Sequence, residues 1–581
     1  MLLGQKLDSE TFRRINKPGG TQYHEVYVPV QPRLQAPAPH CNAISRIDVD
    51  RINSCLSYGV MSCNMCSRRL IIPVLSLCFV VSVTCVYLPQ QVLRSGHRGG
   101  HFEAAVIELP LDHFDSTDTK TFSNRFWVNT AFYKPGGPVF FYDAGERGVS
   151  DYDTALSSPS HPLMQLTETF NGVAIVWEHR FYGRSFPFSE RLSGSQDEGR
   201  ETYQYLNTEQ ALEDTVYLAS HFEPNGLEEY WDSLGPQFTP WIWIGGSYPG
   251  QRGAMVRRRN AEVFFASWSS SANVEIRDSL PEYYLRTSRY LPEDCRAVAQ
   301  AFVQYVDRVL KNGKWLEKYR LRWNIARRWS TKTHSHWERA TFALAAPDIV
   351  VASQIRGLIA EDWQWEGLGG RMGITCASIA TADLEFGLTT ALAIDTVLDA
   401  IEANDRYFSS RSQARRQFPF DAEAWAYQQC TEYFNFQTAA ENDPYNILSS
   451  VFTAESVWAT DCERRFTWLS PPSASEVSAP AKYAGWDKNV SRVMFTTGLQ
   501  DPWHDISMVP SGGLVAGSPR HRKMTNIVPA CDRAMSGDEV FGLVFESGRH
   551  CSDLVPGTKE TARATELFEK ALRSWLTCFV A

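Results

Sequence analysis

From about residue 100 the chain alternates short apolar runs with longer stretches of mixed polarity. Gly137-Pro138 leads into Val139-Phe140-Phe141-Tyr142, which is bounded by glycine again at Gly145. Similar runs follow at Gly172 to Trp177, Trp241 to Ile244, Val263 to Trp268, Arg492 to Thr496 and Phe541 to Phe545. Continuous apolar runs this short, closed by turn residues, predict strands buried on both faces. Tyr205 to Ala219 has helical periodicity, with Thr208 placed to cap it and Glu209 near its start. Strands separated by helical stretches predict parallel βαβ units, hence an α/β fold. Between about 280 and 480 the pattern changes to long polar and aromatic helical stretches with few strand-like runs, which predicts a helical insertion.

The N-terminal part reads differently. Residues 1–67 are polar, contain Pro and Arg and lack sustained periodicity, as expected of a disordered tail or an upstream extension of the gene model. Cys63-Asn64-Met65-Cys66 is a CxxC outside any βαβ context, so redox chemistry is not expected of it. Residues 68–90 hold an uncharged run of 19 residues, Leu70 to Leu88, preceded by Arg68 and Arg69. A membrane span needs about 20 apolar residues. The run is a signal peptide if translation starts at Met61 or Met65, and a signal anchor if the upstream residues are present. In both cases the positive-inside rule sends everything after it across the membrane. The folded part is then secreted or vacuolar/lysosomal after cleavage, or the lumenal or extracellular part of a single-pass protein. Asn489-Val490-Ser491 is a sequon for N-glycosylation consistent with that route.

Composition narrows the class without naming it. Of 581 residues, 43% are hydrophobic and 21% charged, which excludes a disordered chain, a collagen and a multi-span membrane protein. The formal net charge of −9 is poorly matched to a phosphate backbone, so no nucleic-acid partner is expected. Thirteen cysteines divide into six at or before Cys85 and seven after it. The later seven contain no CxxC pair, so no metal site is expected of them; up to three disulfides would leave one thiol over.

The strongest chemical signal is Trp241-Ile242-Trp243-Ile244-Gly245-Gly246-Ser247-Tyr248-Pro249-Gly250. An apolar strand runs into glycines, a serine and a helix-compatible stretch, the layout of a nucleophile elbow. The backbone N–H of Tyr248 would then face a developing oxyanion. Pro249 departs from G-x-S-x-G, although proline is tolerated in a first helical turn. A serine nucleophile needs a base and the base an orienting acid, in the order Ser, acid, His for this layout. Asp501 lies just past the strand-like run 492–497, and His550 just past the run 541–545. His504 and Asp505 follow too soon after Asp501 to serve on a separate loop.

These motifs, taken with others, resemble a known family. Pro110-Leu111-Asp112-His113-Phe114, Arg125-Phe126-Trp127-Val128-Asn129, Glu178-His179-Arg180-Phe181-Tyr182-Gly183-Arg184-Ser185, Tyr205-Leu206-Asn207-Thr208-Glu209-Gln210-Ala211, Gly246-Ser247-Tyr248, Gln429-Cys430-Thr431-Glu432, Asp501-Pro502-Trp503 and His550-Cys551-Ser552-Asp553-Leu554 occur in order over roughly residues 105 to 575. They resemble the serine carboxypeptidase family that includes lysosomal Pro-X carboxypeptidase, dipeptidyl peptidase II and thymus-specific serine protease. The resemblance implies an α/β-hydrolase core in two parts, 100–280 and 481–581. A helical cap, 281–480, is inserted between nucleophile and acid. It carries the nucleophile onto Ser247, the acid onto Asp501 and the base onto His550, with no cofactor and no metal. The family's glycine after Ser-Tyr is Pro249 here, and its loop after the first strand reads Asp143-Ala144-Gly145-Glu146-Arg147-Gly148.

The implied activity is cleavage after proline in short peptides from one chain end. Trp425 and Tyr427 are candidates for an aromatic proline pocket, and ordinary cap core explains them as well. Glu146 is a candidate partner for a substrate α-amine, which favours dipeptidyl-peptidase over Pro-X carboxypeptidase behaviour. Arg180 or Arg184 would suit a terminal carboxylate, or pair with Glu178. An esterase or lipase on the same fold, and a non-catalytic anchored binding ectodomain, are the alternatives. A peptide is the expected partner, a membrane enters only through 70–88, and a homodimer is allowed.

Overall fold

The computed structural model describes residues 102–580 except 189–195, 329–333, 361–362, 368–420 (373 and 376 apart), 472–478, 512–514, 516, 520 and 535–537. The expectations for 1–67, for the CxxC and for the run 70–88 lie outside the described residues. Among the described residues no helix is long and apolar enough to cross a membrane.

Eleven strands are described: β1 Glu103–Pro110, β2 Thr121–Asn129, β3 Val139–Asp143, β4 Val173–Trp177, β5 Trp241–Gly246, β6 Phe264–Ser270, β7 Arg277–Ser279, β8 Phe434–Phe436, β9 Val493–Gly498, β10 Lys523–Thr525 and β11 Glu539–Phe545. Nine form one sheet in the order β1-β2-β4-β3-β5-β6-β9-β11-β10. β1 pairs antiparallel with β2, and β2 antiparallel with β4. The pairs from β4 to β10 are all parallel. All six strand runs expected from the sequence are in this parallel part. The fold is an α/β-hydrolase fold, a mostly parallel sheet with helices connecting its strands.

The reason for the continuous apolar runs is visible in how their residues divide. Side chains alternate between faces along a strand. Phe140, Ile242 and Ile244 go to one face, packed with Leu567, Phe568 and Trp575 of the helix Lys559–Trp575. Phe141, Trp241 and Trp243 go to the other, packed with Leu212 of the helix Thr208–Ser220 and Met255 of the helix Tyr248–Arg259. Both faces are therefore dry, and no polar alternation is left to see. The helix Tyr248–Arg259 lies close on the sheet because Gly250 and Gly253 face it. A Cβ on Gly250 would stand 2.5 Å from the Ser270 oxygen, and one on Gly253 2.5 Å from Ser267 Oγ.

The helix expected from Tyr205 begins at Thr208, and its cap is Asn207 rather than Thr208. The Asn207 side chain accepts from the Gln210 N–H at 3.0 Å. Thr208 instead gives its N–H and its hydroxyl to Glu432 Oε2, both at 2.8 Å. The backbone between β7 and β9 includes the helices Glu282–Tyr290, Glu293–Asn312, Trp315–Ala326, His336–Ala345, Asp348–Ala360 and Asp421–Gln428. Helix Glu293–Asn312 buries Val298, Ala299, Phe302, Val303, Val306, Val309 and Leu310, a stripe with helical spacing. β7 and β8 form a two-stranded parallel ladder that the sequence pattern did not suggest. Disulfides join Cys295 to Cys376, Cys430 to Cys462 and Cys531 to Cys578, and Cys551 is free.

Candidate active site

Strand β5 ends at Gly246, and the helix Tyr248–Arg259 starts two residues later. Ser247 takes the whole change of direction, with φ 66° and ψ −127°. A side-chain-bearing residue is strained at such a φ. Two backbone bonds hold it: the Ser247 N–H donates to Ser270 O at 2.8 Å, and Gln251 N–H donates to Ser247 O at 2.9 Å. Gly245 and Gly246 give the turn its room. A Cβ on Gly245 would sit 2.6 Å from the Pro249 carbonyl carbon, and one on Gly246 2.8 Å from Cys551 Sγ.

Pro249 is accommodated by the loop after β3. A Cβ on Gly145 would lie 2.2 Å from Pro249 Cγ, and Gly145 has φ +62°. The proline ring thus fills the space that a side chain at 145 would need. That loop is fixed at its root. Asp143, buried at the end of β3, pairs with Arg252 at 2.7 Å and accepts from the Gly145 N–H at 3.1 Å.

Asp501 and His550 come from the loops after β9 and β11. The two loops nearly touch, since a Cβ on Gly498 would fall 2.1 Å from Gly548 O. His550 Nδ1 donates to the Asp501 carboxylate, 2.9 Å from Oδ2 and 3.0 Å from Oδ1. Both side chains are buried. Donation from Nδ1 leaves Nε2 as the acceptor of the neutral ring. Nε2 is buried and has no hydrogen-bond partner among the described residues. Burial pulls the imidazole down, but the Asp501 charge and hydrogen bond, joined by Cys551, outweigh it and hold His550 well above the ordinary value of 6.5. Burial likewise pushes Asp501 up, and the His550 charge with its hydrogen bond brings it below 3.8. The Trp365 and His550 rings meet edge to face with centroids 5.1 Å apart, and the His550 backbone N–H donates to Gln364 O at 3.3 Å.

The loop carrying His550 is anchored by Asp553, which the sequence reading quoted in a motif without giving it a role. Its carboxylate accepts from Thr496 Oγ1 at 2.5 Å, Ser270 Oγ at 2.6 Å and Trp268 Nε1 at 3.1 Å. The loop is thereby tied to β6 and β9. His504 and Asp505 are engaged elsewhere. His504 bonds Ser511 Oγ at 2.6 Å, and Asp505 pairs with Arg286 at 2.5 Å.

Beside Trp365 opens a cavity of about 560 Å³ lined among others by Glu146, Trp365, Asp421, Trp425, Gln437 and Arg465. Glu146 is half-buried, and its Oε2 is shielded from solvent with no partner among the described residues. Burial raises its pKa above 4.5, against the pull of Arg147. Burial also raises Asp421, to about 6, although the Gly183 N–H donates to it at 2.9 Å. Trp425 lines the cavity and packs its ring 5.3 Å from that of Tyr248. Tyr427 is not among the cavity-lining residues; it stacks on Tyr203 at 5.0 Å and meets Phe466 at 5.3 Å. Arg180 does not pair with Glu178 and is not free for a substrate. It is buried against Asp214, at 2.6 Å from both Nε and Nη2, and also donates to Tyr205 O. Glu178 pairs with Arg125 at 3.1 Å and accepts from the Arg184 N–H at 3.0 Å. Asn489 is exposed just before β9.

Compared with known proteins, the chain matches the profile of the family Serine carboxypeptidase S28 over residues 109–340 and 389–515, more than half of its length. The chain belongs to this family. Among S28 relatives, a "Probable extracellular serine carboxypeptidase" of Arthroderma benhamiae is 26% identical over 466 residues, covering 72% of this chain and 61% of that protein. The chain thus spans less than two thirds of that relative's length. "Serine protease vicPb" of Bipolaris victoriae is 26% identical, covering 76% of this chain and 85% of that protein. The "Thymus-specific serine protease" of Mus musculus is 26% identical, covering 83% and 90%. The S28 profile ends before His550, so the base position rests on the geometry above.

Proposed function

We propose that this S28 protein is a serine exopeptidase that cleaves after proline in short peptides, with Ser247 as nucleophile, His550 as base and Asp501 as orienting acid. The observation that carries the reading is the buried Asp501–His550 pair, whose Nε2 has no hydrogen-bond partner among the described residues, in a fold whose elbow serine is Ser247. In this reading Ser247 Oγ bonds to the scissile carbonyl carbon while its proton passes to His550 Nε2. The Asp501 carboxylate steadies the imidazolium that forms. The oxyanion accepts from the Tyr248 N–H. The C–N bond then breaks as His550 returns the proton to the leaving amine, and water repeats the sequence in reverse to release the acyl product.

Recognition of a chain end is assigned to Glu146. An α-ammonium suits a shielded carboxylate with an unsatisfied oxygen. This favours release of N-terminal dipeptides over removal of a C-terminal residue, with Trp425 against the proline. Residues 281–480 form the cap in this reading. Three disulfides, an exposed sequon asparagine and an extracellular relative support a secretory route.

The test uses purified protein, a fluorophosphonate and one proline-containing peptide read by mass spectrometry. Ser247 is expected to carry the label, and Ser247→Ala to lose turnover by about 10⁴-fold or more. Unchanged turnover in Ser247→Ala ends the assignment. Loss of single C-terminal residues from the peptide overturns the aminodipeptidase mode while leaving the triad intact.

A further inference from the structure

The residue after the elbow serine has a side chain that the proposed reaction does not use. Tyr248 is buried, with its hydroxyl between two partners: His179 Nε2 at 2.9 Å and the side-chain nitrogen of Gln428 at 2.9 Å. Proton positions along this network follow from chemistry. His179 Nδ1 lies 2.6 Å from Arg180 O, a carbonyl that only accepts, so Nδ1 carries the hydrogen. Burial, with Arg252 nearby, holds His179 well below 6.5, so the ring is neutral and Nε2 accepts. The single Tyr248 proton therefore goes to His179. What faces the Tyr248 oxygen from Gln428 must be a donor, which fixes the Gln428 amide with its NH₂ toward Tyr248. Its Oε1 then accepts from Tyr182 O–H at 2.5 Å. The chain runs one way, from Tyr182 through Gln428 and Tyr248 to His179 and the Arg180 carbonyl, with every proton assigned.

Its members belong to separate parts of the molecule. Tyr182 and His179 lie just after β4. Tyr248 opens the helix behind the elbow. Gln428 ends the helix Asp421–Gln428, whose Asp421, Trp425 and Ala426 line the cavity. The ring of Trp425, on the same helix, packs tilted against that of Tyr248 with centroids 5.3 Å apart. The cavity wall therefore grips Tyr248 twice, by a ring contact and by a directed hydrogen bond.

We propose that Gln428 is a positioning residue: through Tyr248 it aligns the backbone N–H that receives the oxyanion, and it ties that alignment to the cavity-lining helix. The inference rests on Ser247 being the nucleophile. Gln428 touches no reacting atom, so its effect belongs in the acylation rate and not in substrate affinity. A donor aimed slightly off the oxyanion loses rate steeply, because the interaction develops only in the transition state.

The test is a double-mutant cycle on the full chain with Gln428→Met and Tyr248→Phe. Both keep side-chain volume and remove the hydrogen bond between the two residues. Each is expected to lower kcat about tenfold or more with KM within about twofold, and the double variant to fall no further than the weaker single. Fluorophosphonate labelling of Ser247 should slow in parallel. A purely structural role would lower thermal stability but leave the kcat of folded protein unchanged, and that result overturns the inference. So would additive losses in the double variant. If Gln428→Met fails to fold, Tyr182→Phe removes only the terminal donor and is expected to give a smaller kcat loss at constant KM; no loss there also overturns it. Failure to label Ser247 in the unmodified protein defeats the nucleophile assignment instead, so the two failures are distinguishable.

Discussion

Gly145→Ala isolates the fit between the loop after β3 and the elbow. The added methyl would sit 2.2 Å from Pro249 Cγ and 2.6 Å from Pro249 Cδ. The nearer contact is well over 1 Å inside ordinary van der Waals distance, and a proline ring cannot rotate away. Retreat on the other side is limited, because the loop is pinned at Asp143 by Arg252. The backbone at 145 is also left-handed, at φ +62°, which costs a β-carbon roughly 1 kcal/mol. Overpacking adds roughly 1–3 kcal/mol, so the substitution should destabilise by roughly 2–4 kcal/mol in all. Urea unfolding measures this, and kcat with a prolyl chromogenic substrate measures the displaced elbow, where a shift of about 1 Å costs on the order of 100-fold. The discriminating variant adds Pro249→Gly, which removes the ring that the methyl meets. Measured against Pro249→Gly alone, the double variant should keep only the left-handed part, a deficit of about 1 kcal/mol. If Pro249→Gly leaves the Gly145→Ala defect undiminished, the contact between these residues is not what makes glycine necessary at 145.

Three other outcomes are expected. Asp501→Asn should lower kcat by about 10⁴-fold by allowing the wrong imidazole tautomer, and should lower the His550 pKa seen in the pH–rate profile, since the Asp501 charge is the largest of the influences that raise it; an unmoved acid limb contradicts this. Burial raises Glu432 to about 7 from 4.5, so the folded state binds more protons between those values and loses stability as pH rises through them, by roughly 3 kcal/mol in all. Glu432→Gln should therefore flatten that part of the stability-versus-pH curve, and a curve with unchanged slope refutes the assignment. Replacing both Cys430 and Cys462 by serine opens a loop whose ends are 32 positions apart in sequence, and urea unfolding should show a loss of about 3–4 kcal/mol; no loss would mean that the unfolded chain does not feel the cross-link.

What the sequence revealed and what it hid follow one rule about distance along the chain. The parallel strands were legible because each is dry on both faces, so Trp241 to Ile244 shows as an unbroken apolar run before any partner is known. Strand β7, Arg277–Ser279, is polar and three residues long, and only its ladder with Phe434–Phe436 makes it a strand. Ser247, Asp501 and His550 drew notice because each lies shortly past the end of such a run, and the structure pairs the second with the third. The substrate-side residues were not, because their orientation depends on elements far away. Trp425 and Tyr427 are two positions apart on one helix, about 200° around its axis, so they face opposite ways and only one can meet the cavity. Asn207 and Thr208 are both capping types; the Thr208 hydroxyl goes instead to Glu432, distant in sequence. Arg180 stands beside Glu178 in the sequence yet pairs with Asp214, because it is buried against the helix Thr208–Ser220 that carries this aspartate. Gly145 reads as an ordinary loop glycine, and Pro249 reads as a blemish in an elbow motif. Each is the physical reason for the other, which can be seen only when the two loops are brought within contact.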